Sequence, residues 1–174
     1  MRRPRIKVLA RSRESVERAL HDWGNAVWRL ALVRTGSRAD AEDVYQDVFL
    51  RLACDDTVFA DEEHLKAWLL RVTINRCREL GRMAWRRHDV PLDALVSEPA
   101  DPKAEEEFDA AERAELWKVV DRLKPKYREV IHLRYREGLS CEQIAHILGT
   151  RASTVRTRLQ RAHRQLETML GGRR

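Results

Sequence analysis

Residues 153–170 read STVRTRLQRAHRQLETML, and this basic stretch decides the fold predicted for the C-terminal part of the chain. Its apolar residues recur at helical spacing and form one stripe along a helix predicted over Thr154–Leu170: Val155, Leu159, Ala162, Leu166 and Met169. The opposite side carries polar residues: Arg156, Thr157, Gln160, Arg161 and Arg164. One face can therefore pack, while the other offers guanidinium, amide and hydroxyl groups of the kind that read base edges and phosphates in a DNA major groove.

A shorter helix is predicted immediately upstream, in residues 140–149, which read SCEQIAHILG. Ser140 and Gln143 have the spacing of a capping box, which marks a helix start, and Gly149 marks the helix end. A short helix, a glycine turn and a long basic helix together are typical of a helix-turn-helix. The end of the chain is therefore predicted to bind DNA.

The remaining sequence also predicts helices, and no stretch predicts a strand. Apolar periodicity and cap residues give five further helices with these approximate bounds: Ser12 or Ser15 to Thr35, Ser37 to Ala53, Glu62 to Arg87, 105 to 122, and Pro125 to Gly138. Prolines at positions 91, 99 and 102 interrupt any helix between the third and fourth of these. The predicted fold is all-α, with two small helical domains (residues 1–87 and 108–174) joined by a flexible acidic linker (residues 88–107).

Charge is distributed unevenly along the 174 residues. The chain carries a net charge of +6, yet the net charge is +5 over residues 1–87, −8 over residues 88–115 and +9 over residues 116–174. Two basic blocks that flank an acidic one favour a polyanionic partner for the basic parts. The hydrophobic content of 43% is enough for folded domains and argues against general disorder.

Several functional classes find no support in the sequence. Cys54, Cys77 and Cys141 are far apart and form no zinc-binding spacing, so they are predicted to be buried, reduced thiols. No metal and no cofactor is predicted. No apolar run could cross a membrane, and no signal-peptide segment follows the basic N-terminus, so cytoplasmic localisation without membrane insertion is expected.

Two charged helix faces in the first domain each allow two interpretations. Asp40, Asp43 and Asp47 share one side of the second helix, either as a solvated face or as a contact for a basic partner helix. One face of the third helix carries three arginines and an asparagine that can both donate and accept hydrogen bonds: Arg71, Asn75, Arg78 and Arg82. That face is either an ordinary surface or a contact for nucleic acid.

Longer stretches of the sequence resemble a known family. DAEDVYQDVFLRL (residues 40–52) and HLKAWLLRVTINRCREL (residues 64–80) resemble the second conserved region of sigma-70 proteins. Residues 123–166, from LKPKYREVIHLRYREG through LSCEQIAHILG to TRASTVRTRLQRAHRQL, resemble the fourth region. Because both regions occur in this order in a short chain, the sequence resembles a bacterial group IV sigma factor, the extracytoplasmic-function type.

The resemblance implies roles for the first domain. A coiled coil of the β′ subunit of core RNA polymerase is expected to contact these residues of the second helix: Asp40, Asp43, Gln46, Asp47 and Arg51. The third helix is expected to meet the non-template strand of the −10 element. There Asn75 touches an extruded base, with residues 57–63 forming the pocket wall, while three arginines hold phosphates: Arg71, Arg78 and Arg82.

The resemblance also implies roles for the second domain and for partners. Four residues are expected to face bases of the −35 element: Arg156, Thr157, Gln160 and Arg161. Three others are expected to contact phosphates: Arg151, Arg158 and Arg164. Serine is common in the family where this chain has Arg151, and Thr150 is expected to cap the recognition helix instead. The expected partners are promoter DNA, the β′ coiled coil and β subunit of polymerase, and an anti-sigma factor.

The sequence features bear on three classes of function. The favoured one is a non-enzymatic sigma factor that recruits core polymerase, recognises −10 and −35 elements and aids duplex opening. The alternative is a stand-alone helix-turn-helix regulator that binds an operator, but such a protein would carry a ligand or receiver domain in its first half. An enzyme acting on nucleic acid finds little support, because the six histidines are scattered and no paired-carboxylate cluster is evident.

Overall fold

A computed structural model describes residues 11–87 and 107–171, and every regular element in those ranges is helical. The all-α prediction is confirmed. The helices, numbered in chain order, are α1 (Arg13–Thr35), α2 (Arg38–Cys54), α3 (Glu62–Arg87), α4 (Glu107–Asp121), α5 (Pro125–Ile131), α6 (Cys141–Leu148) and α7 (Ala152–Gly171). The proposed linker, apart from Glu107, lies outside the described residues, so the domain boundaries stay a prediction. No helix in the described ranges is long and apolar enough to cross a membrane.

Helices α1, α2 and α3 pack around one apolar core, and local signals set their ends. The hydroxyl of Ser12 accepts from the Ser15 N–H at the start of α1, and Gly36 ends that helix in the left-handed region at φ 65°. Ser37 caps α2 in the same way by accepting from the Asp40 N–H. The core contains side chains with no exposed surface: Val27, Val44, Val48, Leu52 and Leu69.

Helices α4 to α7 surround a second core. The predicted capping box is present at the start of α6. The Ser140 hydroxyl accepts from the Gln143 N–H at 3.1 Å, and the Gln143 side chain accepts from the Ser140 N–H at 2.8 Å. Gly149 ends α6 in the left-handed region at φ 63°. The sequence therefore predicted the helix-turn-helix together with the residues that begin and end its first helix.

Two details of these helices differ from prediction. The carbonyl of Arg151 accepts from the N–H groups of Thr154 and Val155, so Arg151 is the capping position of α7 and the expectation that Thr150 caps it is wrong. The helix that starts at Pro125 was predicted to continue to Gly138. It ends at Ile131 and is followed by a wider π-helical turn over His132–Arg136, in which the Glu137 N–H donates to the His132 carbonyl.

The cysteines differ in burial. Cys77 is buried, and burial raises the pKa of its thiol to about 11. Cys54 is exposed and Cys141 is intermediate, so the prediction of buried thiols is wrong for Cys54. All three are free, as predicted. Cys54 escapes burial because it is the last residue of α2, where the apolar stripe has already ended at Leu52.

The two helical units also pack against each other. Ala26 and Leu30 of α1 and Leu70 and Ile74 of α3 belong to the core that α4 to α7 form, although they come from the first unit. Helix α3 contacts α6, and α1 contacts α5. The described parts of the two predicted domains therefore share an apolar contact that the sequence did not predict.

Candidate nucleic-acid interface

The polar face of α7 is presented to solvent as predicted. Val155, Leu159 and Ala162 are buried beneath it. The exposed residues are Arg151, immediately before the helix, and then Arg156, Thr157, Gln160, Arg161 and Arg164. Arg158 is half-buried, because it lies closer to the edge of the packed stripe. A helix with one buried face and one face of arginine, threonine and glutamine has the form that enters a major groove.

An ion pair connects the two helices of the helix-turn-helix. The Arg156 guanidinium on α7 pairs with the Glu142 carboxylate on α6, and both side chains are largely exposed. Glu142 was not among the predicted residues. Its signal was its place in the first turn of α6, but sequence spacing alone does not show that this turn faces Arg156. The pair gives the Arg156 fork a preferred direction at the surface.

Arg161 and Arg158 lie beside a shallow cavity between α5 and α7. The cavity has a volume of about 290 Å³, and Lys126 and Tyr127 line its other side. The hydrogen bond from the Arg161 guanidinium lowers the pKa of the Tyr127 phenol. Arg161 is therefore restrained by a neighbour inside its own domain. In this respect it differs from the exposed Gln160.

The polar face of α3 is also exposed. Arg71, Asn75 and Arg82 lie along it as predicted. Arg78, on the same face, points toward the second domain, where its Nη2 donates to the Leu148 carbonyl at 2.5 Å. The structure thus brings a residue predicted to bind −10 phosphates to the end of the first helix of the helix-turn-helix.

Residues 57–63, the predicted pocket wall, are held by an arginine that the sequence did not single out. Arg11 Nη2 donates to the Thr57 carbonyl at 2.6 Å, and the Arg11 guanidinium lies 4.8 Å from the centre of the Phe59 ring. Phe59 in turn packs edge-on against Trp68 of α3, with 5.6 Å between ring centres. Val58 is 93% exposed, so this loop presents an apolar tip to solvent.

The acidic face of α2 is partly free and partly engaged. Asp40, Asp43 and Gln46 are exposed. Asp47 and Arg51 instead form ion pairs with residues of α3. Arg76 Nε lies 2.5 Å from the Asp47 carboxylate, and the Glu79 carboxylate lies 3.2 Å from Arg76 Nη1 and 3.4 Å from Arg51 Nη2. Leu50 is 63% exposed, three residues after Asp47 and four after Gln46. It was missed because a leucine within an apolar-rich helix is ordinarily assigned to the core.

A cleft of about 440 Å³ lies between parts of the two units, and both predicted DNA-binding surfaces contribute to it. Arg34 and Arg78 line it from the first unit, and Lys126, Glu129 and Arg158 line it from the second. Burial raises the pKa of the Glu129 carboxyl despite the neighbouring Arg34 guanidinium. Four cationic side chains around one carboxylate make this cleft strongly basic.

No metal-binding group emerges from the described ranges. Within residues 11–87 and 107–171, no cluster of three or more histidine, cysteine, aspartate or glutamate side chains could hold a metal ion.

Comparison with known proteins explains why these surfaces occur together. The Sigma-70 region 2 profile matches residues 20–87, and the Sigma-70, region 4 profile matches residues 113–166. The ECF RNA polymerase sigma factor SigL of Mycobacterium tuberculosis is 34% identical over 168 residues, which cover 95% of both chains. The chain belongs to the sigma-70 family, in its extracytoplasmic-function group. As a sigma factor it functions in promoter-directed transcription, and a stand-alone regulator is not favoured, since region 2 fills its first half.

Other relatives agree with this assignment, and solved structures share the fold. The RNA polymerase sigma-E factor of Streptomyces coelicolor is 35% identical over 82% of this sigma factor and 81% of that protein. The ECF sigma factor SigE of Mycolicibacterium smegmatis is 34% identical over 83% of this chain, which spans 57% of that longer relative.

The fold of the sigma factor RpoE of Bartonella quintana, solved with the anti-sigma factor NepR, matches with a TM-score of 0.68 at 24% identity, over 92% of this chain and 99% of that one. CnrH, solved with the cytosolic domain of CnrY, matches with a TM-score of 0.59 at 25% identity, over 94% and 92% of the two chains. The sigma-70 family consists of non-catalytic transcription factors that bind core RNA polymerase and promoter DNA.

Proposed function

We propose that this sigma factor binds core RNA polymerase and directs initiation at promoters by recognising a −10 and a −35 element and aiding duplex opening. The observation that carries the proposal is that one chain exposes two separate arginine-rich polar faces, on α3 and on α7. One reader suits duplex DNA and the other suits a single strand, because the α3 face combines a row of arginines with an amide that can contact an unstacked base.

In the upstream reader, four residues of α7 face bases of the −35 element: Arg156, Thr157, Gln160 and Arg161. Three others contact phosphates: Arg151, Arg158 and Arg164. Exposure supports the placing of Arg158 alone, since Arg158 is half-buried beside Lys126 while the other six residues are exposed. The Glu142 carboxylate directs Arg156, so the pair forms one reading unit.

In the downstream reader, Asn75 contacts an extruded base of the −10 element and three arginines hold the backbone: Arg71, Arg78 and Arg82. The loop around Val58, held by Arg11 and Phe59, forms the wall of the base pocket. The exposed position of Asn75 among arginines supports this role. Arg78 must leave the Leu148 carbonyl to take part.

The polymerase contact uses the exposed face of α2. Asp40, Asp43 and Gln46 offer polar contacts to the β′ coiled coil, and exposed Leu50 offers an apolar one. Asp47 and Arg51 contribute through the ion network that joins them to α3, which keeps this face rigid. The second domain approaches the β subunit.

Partners and location follow from the same reasoning. Because the sigma factor RpoE was solved with the anti-sigma factor NepR, we infer that an anti-sigma factor also binds this chain. The protein acts without catalytic chemistry of its own, and it works in the cytoplasm, where polymerase and DNA are found. No observation favours a second function.

In vitro transcription with core polymerase on a promoter library tests the proposal. Wild-type sigma factor should give template-specific initiation, and Asn75→Ala should reduce open-complex formation far more than binding to duplex −35 DNA. Asn25→Ala, which removes an amide elsewhere in the first unit, serves as the matched control and should initiate normally. Failure of the wild-type protein to direct specific initiation would contradict the proposal.

A further inference from the structure

The cleft between parts of the two units gathers positive charge from four helices. Arg34 of α1 and Arg78 of α3 line one side, and Lys126 of α5 and Arg158 of α7 line the other. Glu129 is the one carboxylate among the described residues that line it. Four cations therefore face one anion, which leaves an excess of positive charge concentrated in a small volume.

Three of these cations converge on one point. Burial raises the pKa of the Glu129 carboxyl, while the charges of the Arg34, Arg158 and Arg78 guanidinium groups oppose that shift. All three groups therefore lie near the same carboxylate, although they come from three different helices. A single carboxylate compensates only one of these charges, so the positive potential extends into the cleft.

Arg158 has hydrogen-bond donors to spare. Its side chain is half-buried, yet its guanidinium makes no hydrogen bond and no ion pair within the part of the chain that the structure describes. A guanidinium presents five N–H donors in a fork that matches a phosphate group. Arg158 is therefore suited to an anion that comes from outside the protein.

Two of the other cations are already held in place. Arg34 pairs with Glu129, and Arg78 Nη2 donates to the Leu148 carbonyl at 2.5 Å. A ligand that meets ordered side chains loses little binding free energy in fixing them. The protein itself thus orders a large part of the charge that the cleft presents.

The size of the cleft indicates a small ligand rather than a duplex. Its volume of about 440 Å³ falls in the range of small-molecule pockets, about 300–1,000 Å³. A cube of that volume has sides of about 8 Å, whereas the major groove of DNA alone is about 12 Å wide. One phosphate group carries a charge of about −1.5 to −2, so two linked phosphates match the positive excess better than one.

We propose that the cleft binds a small molecule through a diphosphate group, which is held by the four cationic side chains: Arg34, Arg78, Lys126 and Arg158. This chemistry is shared by inorganic pyrophosphate and by the diphosphate of a nucleotide. The site goes beyond promoter recognition, because it rests on the geometry and charge of the cleft. A ligand bound there contacts four helices at once and should stabilise the folded chain.

Calorimetric titration of the full chain with inorganic pyrophosphate, at about 150 mM salt, tests the site. We expect one site per chain with a Kd below about 100 μM. The thermal midpoint should rise by at least about 3 °C at about 1 mM pyrophosphate. Sulfate at equal ionic strength should bind at least about tenfold more weakly, because it offers one tetrahedral anion. Equal affinity for the two anions, or no binding below about 1 mM, would overturn the proposal.

Matched variants locate the site in the cleft. Arg158→Gln should weaken pyrophosphate binding at least about fivefold, and its combination with Lys126→Gln at least about thirtyfold. Arg38→Gln removes the same charge at an exposed pair with Glu42 and should leave the Kd within about twofold. Glu129→Gln removes a carboxylate that repels the ligand and should tighten binding about threefold or more, a gain that misfolding cannot produce. Equal weakening by Arg158→Gln and Arg38→Gln would show general charge attraction and refute the site.

Nucleotide titrations identify the source of the diphosphate. AMP should bind at least about tenfold more weakly than ADP or pyrophosphate, and AMP binding as tight as that of ADP would contradict the need for two phosphates. Tighter binding of ADP than of pyrophosphate would support a nucleotide ligand, and the reverse order would support the inorganic ion. These titrations use neither polymerase nor promoter. Normal pyrophosphate binding without template-specific initiation would therefore refute the proposed function alone.

Discussion

At the residue scale, substitution of Arg161 distinguishes a base contact from a phosphate contact. Its guanidinium contacts the Tyr127 phenol beside Arg158 and Lys126. As a base reader, Arg161→Ala should cost roughly 1–3 kcal/mol in promoter binding and relax specificity at one base pair of the −35 element. Binding of holoenzyme to a library of single-base −35 variants measures this directly.

A control variant and the salt dependence of binding test whether Arg161 contacts a base. Tyr127→Phe keeps the packed ring and removes only the hydroxyl, so it should change specificity less than Arg161→Ala. Equal weakening on every library member, with a smaller dependence of affinity on salt, would instead show that Arg161 holds a phosphate.

The sequence predicted the exposed positions of the site but not their neighbours. Asn75 and Gln160 are exposed as helical spacing predicted. Spacing could not show that Asp47 pairs with Arg76 or that Arg78 reaches Leu148, because those partners belong to other helices. Glu142 was missed for the same reason. Periodicity determines which residues share a face, whereas tertiary packing determines what that face meets.

At the element scale, the start of α6 depends on the Ser140 and Gln143 capping box. Helix α6 has only eight residues, so unsatisfied N–H groups at its first turn are a large share of its backbone. Ser140→Ala should lower the free energy of unfolding by about 1 kcal/mol. Thr168→Ala removes a hydroxyl from an exposed helix interior and should change it by no more than about 0.5 kcal/mol.

Chemical denaturation of both variants and wild type measures these changes. An unfolding free energy of Ser140→Ala that equals that of Thr168→Ala would mean that packing of Ile144 and Leu148, rather than the cap, determines where α6 begins.

Helix bounds were predictable where a single residue marks them, either a capping side chain or a glycine at positive φ. Ser12, Gly36 and Gly149 each act on a few adjacent residues, and each predicted a boundary that the structure contains. The π-helical turn after Ile131 has no such mark. It follows from hydrogen bonds that widen by one residue, and it leaves both Leu133 and the Glu137 side chain buried. Only the packing of the whole domain favours that geometry.

At the scale of the whole molecule, the contact between the two helical units was not predictable. Helical spacing places Leu70 and Ile74 on a different side of α3 from Leu69, and no core position was predicted for either residue. In the structure Leu69 serves the core of the first unit, while Leu70 and Ile74 belong to the other. Apolar residues on two sides of a helix indicate that both sides are buried. They do not show whether the second side packs within the same domain or against the other one.

Glu129 is a buried carboxylate in that contact, where it pairs with Arg34 of α1. Burial raises the pKa of Glu129, so ionising it opposes the folded state in spite of Arg34. Its favourable contribution is therefore present below the ordinary pKa of 4.5 and is lost as pH rises through the raised value. Glu129→Gln keeps an acceptor for Arg34 without a charge that must lose its hydration.

We therefore expect Glu129→Gln to change the unfolding free energy at pH 7 by no more than about 1 kcal/mol, and to flatten its decline as pH rises from 4.5. Denaturant midpoints from pH 4.5 to 8 test both expectations. A loss of about 3–5 kcal/mol is the result expected when removal of one partner leaves the other charge, here Arg34, buried and uncompensated, and it would assign Glu129 a share in holding the units together.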